Sequence, residues 1–358
     1  MLKTLNILKG RAPYASASIL TKITSHQLHT SAAVSAGRKV VATRRLLQNS
    51  QQRLEEQGFD LVQWPTDSAM PYEKLLEDVK GAEGLICMLS DKIDSQVFKA
   101  AGPQLKVVTT MSVGYDHIDL KAAKENNVKI GYTPDILTDA TADLTVLLTL
   151  SAARFMKSGV RAAETGEWKE WRADWLCGYQ FTGKTLGVVG MGRIGQAVAK
   201  RLKAFGIDNV LYWGRKEKPG LKESLNAEYA SFDKLLSESD YIVACCALTP
   251  ETKEMFNYEA FQKMKKNTVF VNTARGGIVK QDDLVRALEE NLIAGAGLDV
   301  TTPEPLPTDH KLFQLDNCVI LPHIGSATKE TREAMGDMCI DNVVAGLNGK
   351  DLPFQLQH

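Results

Sequence analysis

The stretch Leu186-Gly187-Val188-Val189-Gly190-Met191-Gly192-Arg193-Ile194-Gly195 decides the fold. Its first four residues form an apolar run that predicts a buried strand. Apolar residues then recur at helical spacing as far as Leu202, so a helix follows. Between strand and helix, the spacing Gly-x-Gly-x-x-Gly permits a tight turn and a close approach of phosphate to the backbone. Gly190, Gly192 and Gly195 therefore predict a dinucleotide site at the start of a helix, where free N–H groups favour anions.

Short apolar runs alternate with helical stretches on both sides of this turn. Before it, we predict strands at Val40–Ala42, Gly84–Met88, Val107–Thr109 and Ile130–Tyr132. After it, we predict strands at Val210–Trp213, Tyr241–Ala244, Thr268–Asn272, Ala294–Asp299 and Cys318–Leu321. A long helix is expected over residues 140–155. This alternation is typical of parallel sheets covered by helices, so we predict the α/β class with two Rossmann-like, doubly wound parallel-sheet domains.

Composition excludes several classes of function. Lys and Arg together number 43, as do Asp and Glu, so the formal net charge is zero and indicates neither nucleic acid nor a membrane surface as partner. Charged residues interrupt every apolar stretch before it reaches the length of a membrane span. The six cysteines include no Cys-x-x-Cys pair and no zinc-type spacing with histidine. We therefore expect no metal site and interpret the cysteines as small buried apolar residues.

The N-terminal segment differs in composition from the rest of the chain. Its first acidic residue is Glu55, whereas basic residues, Ser, Thr and Ala are frequent before it. This composition predicts a mitochondrial transit peptide over residues 1–37, and hence a location in the mitochondrial matrix. The alternative is a disordered tail on a cytoplasmic protein. In both cases we expect the ordered protein to begin near Arg38.

The residues that follow the second strand of the glycine-turn unit predict which dinucleotide binds. An NAD enzyme usually has Asp or Glu at this position to bind the ribose hydroxyls. This chain reads Leu211-Tyr212-Trp213-Gly214-Arg215-Lys216 there, so the acid is absent and two cations follow. Because a guanidinium binds a phosphate bidentately, we predict NADP(H), selected by Arg215 with support from Lys216 or Lys218. The alternative is a basic turn on the surface that contacts no ligand.

Three of the six histidines are candidates for acid–base catalysis, because the other three lie in the leader or at the last position. His323 directly follows a predicted strand, and ligands of open parallel sheets bind beyond the carboxyl ends of the strands. His310 lies in a proline-rich loop and His117 in a polar turn, so we expect both to be solvated. We therefore select His323 as the proton donor, although a single histidine is often structural.

Two further charged residues follow strands that end at the same edge. Arg275 would bind a substrate carboxylate through two parallel hydrogen bonds; alternatively, it pairs with a neighbouring acid on the surface. Glu304 would hold a ring N–H of His323 and stabilise the imidazolium; alternatively, it is a solvated loop carboxylate. The three side chains together predict a site where a carbonyl group is reduced beside a carboxylate.

Several motifs carry a resemblance to a known family. They are Gly190–Gly195, Asn272–Gly277, Asp299–Pro305 and Pro322–Gly325. From residue 38 to 358 the chain resembles the D-2-hydroxyacid dehydrogenases. The resemblance is stronger still to the glyoxylate and hydroxypyruvate reductases of that family. Local features that carry this second likeness are Ser112–Asp116, Gly131–Asp135, Trp175–Tyr179 and Ile324–Thr328.

The resemblance implies a role for individual residues. His323 matches the proton donor, Arg275 the substrate-binding arginine and Glu304 the partner of the histidine. The further positions that match substrate-binding residues are Val113, Gly114 and Ser326. Those that match cofactor-binding residues are Gly192, Arg193 and Ile194 at the pyrophosphate, and Ala247, Thr273, Asp299 and Gly325 around the nicotinamide and its ribose. Trp171 matches a tryptophan that reaches the active site of the partner subunit.

The resemblance also implies an architecture and an activity. We expect a discontinuous substrate domain of residues 38–139 and 325–358, a dinucleotide-binding domain of residues 140–324, and a homodimer. The expected reaction is the NADPH-dependent reduction of glyoxylate to glycolate and of hydroxypyruvate to D-glycerate. One alternative is a broader 2-ketoacid reductase of the same family. Another, from a different class, is a nucleotide-sensing interaction protein similar to the transcriptional corepressors that share this fold.

Overall fold

The computed structural model describes residues 37–357. The predicted transit peptide of residues 1–37 lies outside the described residues except for Gly37, and His358 lies outside them as well. Within the described range the chain forms two parallel sheets with apolar side chains packed on both faces of each. The prediction of an α/β protein with two Rossmann-like sheets is therefore confirmed.

The first sheet has five parallel strands. In chain order they are β1 (Lys39–Ala42), β2 (Asp60–Gln63), β3 (Gly84–Cys87), β4 (Val107–Thr110) and β5 (Lys129–Gly131). Their spatial order is β2-β1-β3-β4-β5, a doubly wound arrangement. Four of these strands lie within one residue of their predicted positions. Strand β2 was not predicted, because it is a short edge strand whose polar ends leave no apolar run.

The second sheet has seven parallel strands. In chain order they are β6 (Thr185–Val189), β7 (Asn209–Trp213), β8 (Ala227–Tyr229), β9 (Tyr241–Ala244), β10 (Val269–Asn272), β11 (Gly295–Leu298) and β12 (Cys318–Ile320). Their spatial order is β8-β7-β6-β9-β10-β11-β12, which is the Rossmann order with one strand added. Strands β6, β7 and β8 extend to one side of the sheet, whereas strands β9 to β12 extend to the other, so the order of addition reverses between β6 and β9. A ligand crevice is expected at this switch point, beyond the carboxyl ends of the strands.

Helices connect the strands and cover the sheets. In chain order those of the described range are α1 (Gln48–Glu56), α2 (Tyr72–Asp78), α3 (Ser95–Ala101), α4 (Leu120–Glu125), α5 (Thr138–Ala153), α6 (Met156–Glu164), α7 (Arg193–Ala204), α8 (Leu221–Leu225), α9 (Phe232–Glu238), α10 (Tyr258–Gln262), α11 (Gln281–Glu289), α12 (Lys311–Gln314) and α13 (Lys329–Leu347). The helix predicted over 140–155 is α5, which begins two residues earlier. It ends at Ala153 because the backbone of Phe155 turns into the left-handed region, with φ 50°, before α6 starts.

The two sheets are linked by two crossings of the chain. Helix α5 follows β5 but packs on α7, β10 and β11 of the second sheet. Helix α13 follows β12 but packs on β3, β4 and β5 of the first sheet. The layer around the first sheet is therefore built from both ends of the described chain. The domain limits at residues 139/140 and 324/325 stay a prediction.

The strands are apolar over their whole length because both faces of each sheet are buried. Adjacent residues Val188 and Val189 belong to hydrophobic clusters on opposite faces of the second sheet. Val40 and Val41 do the same in the first sheet. Each fully buried side chain of this size stabilises the fold by about 1.5–3 kcal/mol. The core thus fixes the strand ends from which the site residues project.

None of the helices between residues 37 and 357 is long and apolar enough to cross a membrane.

Candidate active site

The glycine turn adopts the geometry that its spacing predicts. Gly190 has φ 97°, and a Cβ there would lie 2.5 Å from the backbone nitrogen of Cys246. A Cβ on Gly195 would lie 2.4 Å from the carbonyl oxygen of Gly190, so both positions require glycine. A Cβ on Gly192 would meet nothing within 4 Å, which leaves open space in front of the loop. Helix α7 starts at Arg193 with no side-chain cap, so its first N–H groups are free to bind an anion.

A cleft of about 350 Å³ lies in front of this turn. Its walls come from the loops after β4, β5, β6, β9 and β10. The segments concerned are 113–116, 192–194, 245–249 and 273–275, together with Asp135, Leu137 and Thr138. The cleft therefore opens at the switch point between β6 and β9. Bare backbone at Gly192, a free helix N-terminus and a long cleft fit the pyrophosphate and the nicotinamide half of a dinucleotide.

The predicted selector residues lie at the end of β7. Arg215 and Lys216 are exposed, and Lys218 is half-buried. The backbone N–H of Lys218 donates to the hydroxyl of Tyr212 over 3.0 Å, so the turn is attached to β7. Within residues 37–357, neither Arg215 nor Lys216 forms a side-chain hydrogen bond or an ion pair. Both cations are therefore available to a phosphate at this strand end.

A second, smaller cavity of about 60 Å³ lies beyond the cleft. Of the predicted site residues, it is lined by Val113, Gly114, Ile194, Thr273, Arg275, Asp299, His323, Gly325 and Ser326. Leu89, Met111, Ser112, Leu137, Thr141 and Met335 complete its wall. Because one water needs about 10–15 Å³ of cavity, this inner pocket has room for roughly four to six water molecules, and bonded atoms pack closer than separate waters.

His323 and Glu304 form a direct pair at this pocket. The ring Nδ1 of His323 lies 2.7 Å from Oε2 of Glu304. The second oxygen of Glu304 accepts the backbone N–H of Thr301 over 3.0 Å, which fixes the carboxylate. His323 itself has φ 53°, a left-handed backbone conformation that non-glycine residues rarely adopt. Residues held in such conformations are concentrated at functional sites.

Asp299 holds the loop that carries His323. Its two oxygens accept the backbone N–H groups of Ile324 and Gly325, each over 2.8 Å, and its own carbonyl accepts the N–H of His323. Burial raises the pKa of the Asp299 carboxyl, while these hydrogen bonds and His323 act in the opposite direction. The sequence predicted Asp299 as a cofactor residue, and the structure shows that its side chain also fixes the turn after β12.

Arg275 follows β10 and faces the same pocket. Asn272 shapes its turn, because the side chain donates to the carbonyl of Arg275 over 2.8 Å and accepts the N–H of Ala274 over 3.0 Å. The Nε of Arg275 donates to Oδ1 of Asp116 over 2.9 Å. The alternative of a partner acid is thus also realised, but inside the cleft rather than on the surface.

Comparisons with known proteins agree with this geometry. Residues 146–325 match the family model described as D-isomer specific 2-hydroxyacid dehydrogenase, NAD binding domain. The glyoxylate reductase/hydroxypyruvate reductase of Homo sapiens is 47% identical over 320 residues, which are 89% of this chain and 98% of that protein. The chain belongs to the D-2-hydroxyacid dehydrogenase family. The resemblance predicted from the motifs is therefore confirmed.

Other members of the family resemble this dehydrogenase over nearly the same length. The glyoxylate reductase of Thermococcus kodakarensis is 44% identical and covers 88% of this chain and 95% of its own. The crystal structure of an NADPH-dependent glyoxylate/hydroxypyruvate reductase from Sinorhizobium meliloti, in complex with NADP and malonate, superposes with a TM-score of 0.77 at 28% identity. It covers 89% of this chain and 96% of its own. The match includes both sheets of the dehydrogenase fold.

Most of the predicted site residues of this dehydrogenase lie around the two cavities. Those on the outer cleft are Val113, Gly114, Gly192, Arg193, Ile194, Ala247, Thr273 and Arg275. Arg193 also pairs with Asp135 over 2.6 Å, across the cleft. Glu304 does not line the inner pocket itself but is hydrogen-bonded to His323, which does. Trp171 lies apart from both cavities of its own chain, on an exposed loop, and is 84% exposed.

Two histidines of the dehydrogenase are not solvated as predicted. Nε2 of His117 lies 2.9 Å from the hydroxyl of Thr110, and its Nδ1 is buried without a hydrogen-bond partner among residues 37–357. Burial lowers the pKa of the His117 imidazole to about 4. His310 is half-buried, and its Nδ1 accepts the N–H of Leu312 at the start of α12. The expectation of solvation was wrong because both rings form hydrogen bonds within folded turns, His117 with a hydroxyl and His310 with a backbone N–H.

The prediction for the cysteines holds in part. All six are free thiols, and Cys87, Cys318 and Cys339 are buried. Cys177 is exposed, contrary to the prediction, because it lies in the same loop as Trp171 rather than under a sheet. Cys245 and Cys246 are half-buried in the wall of the cleft, and burial raises the pKa of the Cys246 thiol to about 11. Such a thiol stays protonated near neutral pH and is a poor nucleophile.

Sequence reasoning missed Asp116 as a site residue of this dehydrogenase. Asp116 pairs with Arg275, although 159 positions separate the two. A carboxylate beside a polar turn has no periodic pattern that predicts a distant partner. The only sequence signal was its place in the motif Ser112–Asp116, which follows strand β4 at the same edge of the sheet.

Proposed function

We propose that the protein reduces glyoxylate to glycolate and hydroxypyruvate to D-glycerate, with NADPH as hydride donor. The observation that carries this proposal is the position of Arg275 and the His323–Glu304 pair on one inner pocket of about 60 Å³. The relatives support the same substrates, because several of them are glyoxylate or hydroxypyruvate reductases. A pocket of this size favours acids of two or three carbons.

The carboxylate of the substrate is held by Arg275 and by the backbone N–H groups of Val113 and Gly114. All three residues line the inner pocket, and a guanidinium binds a carboxylate through two parallel hydrogen bonds. This arrangement fixes the 2-oxo carbon relative to His323. Such fixed orientation is one source of the rate that enzymes gain over free solution.

His323 donates the proton that the carbonyl oxygen needs. Because Nδ1 is bound to Glu304, the proton to be transferred is on Nε2. NADPH, when bound in the cleft, supplies the hydride to the carbonyl carbon. Glu304 stabilises the imidazolium before the transfer, and Asp299 keeps the turn of His323 in place. Acid–base catalysis by a positioned side chain typically contributes about 10²–10⁴-fold.

Arg215 selects NADPH over NADH in this proposal. Its guanidinium is exposed at the end of β7, and among the described residues it has no carboxylate partner. A 2′-phosphate would find there a bidentate donor, with Lys216 and Lys218 close in sequence. The Sinorhizobium meliloti reductase, whose crystal structure contains NADP, supports the same cofactor class.

The protein acts as a homodimer in this proposal. Five large apolar side chains on α5, α6 and the following loop are exposed, at Leu147, Met156, Val160, Trp168 and Trp171. Exposed aromatic and apolar side chains are enriched at protein–protein interfaces. Trp171 then contributes to the pocket of the partner subunit, which explains its distance from the cavities of its own chain. Sedimentation at micromolar concentration tests this point, and a monomer with full activity would contradict it.

We also propose import into the mitochondrial matrix, on the basis of the leader alone. Cell fractionation tests this proposal by comparing cells that express the full chain with cells that express a chain beginning at residue 38. Equal cytoplasmic distribution of both chains would contradict it.

The function is tested by a kinetic panel of small 2-oxo acids with NADPH and NADH. Glyoxylate and hydroxypyruvate should be reduced with the highest kcat/KM, and NADPH should be the better donor. His323→Ala should abolish turnover but leave NADPH binding intact, whereas the control His310→Ala should keep turnover. Equal turnover of longer 2-oxo acids would favour the broader reductase. If none of the acids is turned over with either cofactor, the proposed function is refuted and a nucleotide-sensing protein is favoured.

A further inference from the structure

The hydrogen bonds of Arg275 leave one edge of its guanidinium free. Its Nε donates to Oδ1 of Asp116 over 2.9 Å, and its Nη1 donates to the carbonyl of Ala274 over 2.8 Å. Its Nη2 lies against Gly114, where a Cβ would come within 1.6 Å. A guanidinium binds a carboxylate bidentately through two neighbouring nitrogens. Nε has a single hydrogen and is occupied, whereas Nη1 keeps a second hydrogen besides the one that it donates to Ala274, so the available pair is Nη1 with Nη2.

Asp116 belongs to a rigid loop of the first sheet. The hydroxyl of Ser112 donates to the carbonyl of Gly114 over 2.6 Å, and it lies 2.8 Å from the hydroxyl of Thr110 on β4. His117, the next residue, binds the same Thr110 through its ring. The carbonyl of His117 also accepts the N–H of Ile93 over 2.9 Å. The backbone that carries Asp116 is therefore fixed on both sides of this residue.

The pair also joins the two halves of the molecule. Asp116 follows β4 of the first sheet, whereas Arg275 follows β10 of the second sheet. The side chain of Arg275 is 20% exposed and that of Asp116 is 35% exposed, so water only partly screens the contact. Hydrogen bonds between charged groups are stronger and more directional than neutral ones. The contact thus restricts the rotation of an otherwise flexible arginine.

We propose that Asp116 is a positioning residue that presents the Nη1–Nη2 edge of Arg275 to the carboxylate of the substrate. This inference rests on the proposed function, since it assumes that Arg275 binds a 2-oxo acid. Asp116 does not touch the substrate. It acts on substrate binding through the orientation of Arg275.

A simpler view of Asp116 predicts the opposite result. If its charge only repelled an anionic substrate, removal of the charge would improve binding, because like charges near a half-buried site disfavour each other. If Asp116 orients Arg275, removal of the carboxylate lets the guanidinium rotate and weakens binding. The sign of the change in KM therefore distinguishes the two views.

The experiment compares Asp116→Ala, Asp116→Asn and the wild type at saturating NADPH. We expect KM for glyoxylate to rise about tenfold or more in Asp116→Ala and less in Asp116→Asn, which keeps an acceptor oxygen. The value of kcat should change by less than about threefold, since the proton donor is intact. The dissociation constant of oxamate, a substrate-like carboxylate, should rise in parallel when it is measured in the presence of NADP⁺.

Asp337→Ala is the matched control. Asp337 on α13 pairs with Arg53 over 2.7 Å at a similar exposure and lines neither cavity, so its removal takes away the same charge without touching Arg275. This variant should not raise KM for glyoxylate. A KM that stays unchanged or falls in Asp116→Ala would overturn the proposal, as would an equal rise in Asp337→Ala. A wild type that reduces no 2-oxo acid would instead overturn the proposed function.

Discussion

The substitution Gly114→Ala tests whether the position of Arg275 controls activity. A Cβ on Gly114 would lie 1.6 Å from Nη2 and 2.7 Å from Cζ of Arg275. Carbon and nitrogen atoms in contact need about 3.5 Å, so the guanidinium must move by about 2 Å. The atoms in its way belong to the far end of a flexible side chain, so the fold itself should tolerate the change.

The expected loss follows from the hydrogen bonds that this movement breaks. A displacement of about 2 Å removes the bidentate geometry toward a substrate carboxylate, and hydrogen bonds to charged groups contribute about 1.5–3 kcal/mol each. Loss of one such bond lowers kcat/KM for glyoxylate by about 10–150-fold. The backbone at Gly114 has no positive φ, so alanine adds no strain of its own there. Thermal unfolding should therefore change by only a few degrees.

The assay is the initial rate of NADPH oxidation over a range of glyoxylate concentrations. Gly159→Ala in α6 is the control, because a Cβ there would meet only Cδ1 of Leu176 at 4.0 Å. It should keep kcat/KM within about twofold and gain a little helix stability, since alanine favours a helix by about 1 kcal/mol over glycine. If Gly114→Ala also stays within twofold of the wild type, the position of Arg275 in this site is wrong.

Three further changes probe other parts of the site. Glu304→Gln removes the charge that stabilises the imidazolium of His323. Stopped-flow measurement of NADPH oxidation should show a rate about 10–100-fold lower, with unchanged NADPH affinity. An unchanged rate would exclude the pair from catalysis. Arg215→Asp should raise KM for NADPH at least about tenfold while KM for NADH stays similar, and a parallel rise for both would reject the selector. Burial lowers the pKa of His117 to about 4 from the 6.5 of an exposed histidine, so between pH 6.5 and 4 the unfolded chain takes up a proton that the folded chain does not. As the pH falls over this window, the free energy of unfolding should decrease by up to about 3 kcal/mol more in the wild type than in His117→Gln. Urea titration at each pH measures this free energy. Parallel pH profiles of the two proteins would refute this assignment.

The sequence allowed the second sheet to be predicted because local patterns determine it. A continuous apolar run marks each buried strand, and the glycine spacing from Gly190 to Gly195 is set by contacts within the same strand–turn–helix unit. Edge strands β2 and β8 lacked such a run, since β2 has no fully buried residue and β8 has only one. The predicted end of α5 was also imprecise, because no glycine or proline marks the turn at Phe155.

The site was predictable where a residue lies within three positions after the end of a strand. His323, Arg275 and Asp299 satisfy this rule, and the parallel sheet brings them to one edge. The partner of Arg275 was not predictable, because Asp116 lies in another sheet and its contact depends on how the two domains pack. The burial of His117 was missed for a different reason: a polar turn looks solvated until the hydroxyl of Thr110, only seven residues earlier in the chain, is placed against the ring.

The most direct test of the proposed activity is the product formed from hydroxypyruvate. Purified protein, NADPH and hydroxypyruvate are incubated, and the glycerate is separated by chiral chromatography while NADPH oxidation is followed. One orientation of the carboxylate on Arg275, with His323 on the carbonyl oxygen, exposes one face of the carbonyl to the cleft. We predict D-glycerate alone, in a one-to-one ratio to NADPH consumed. A racemic mixture, L-glycerate or no product would contradict the account.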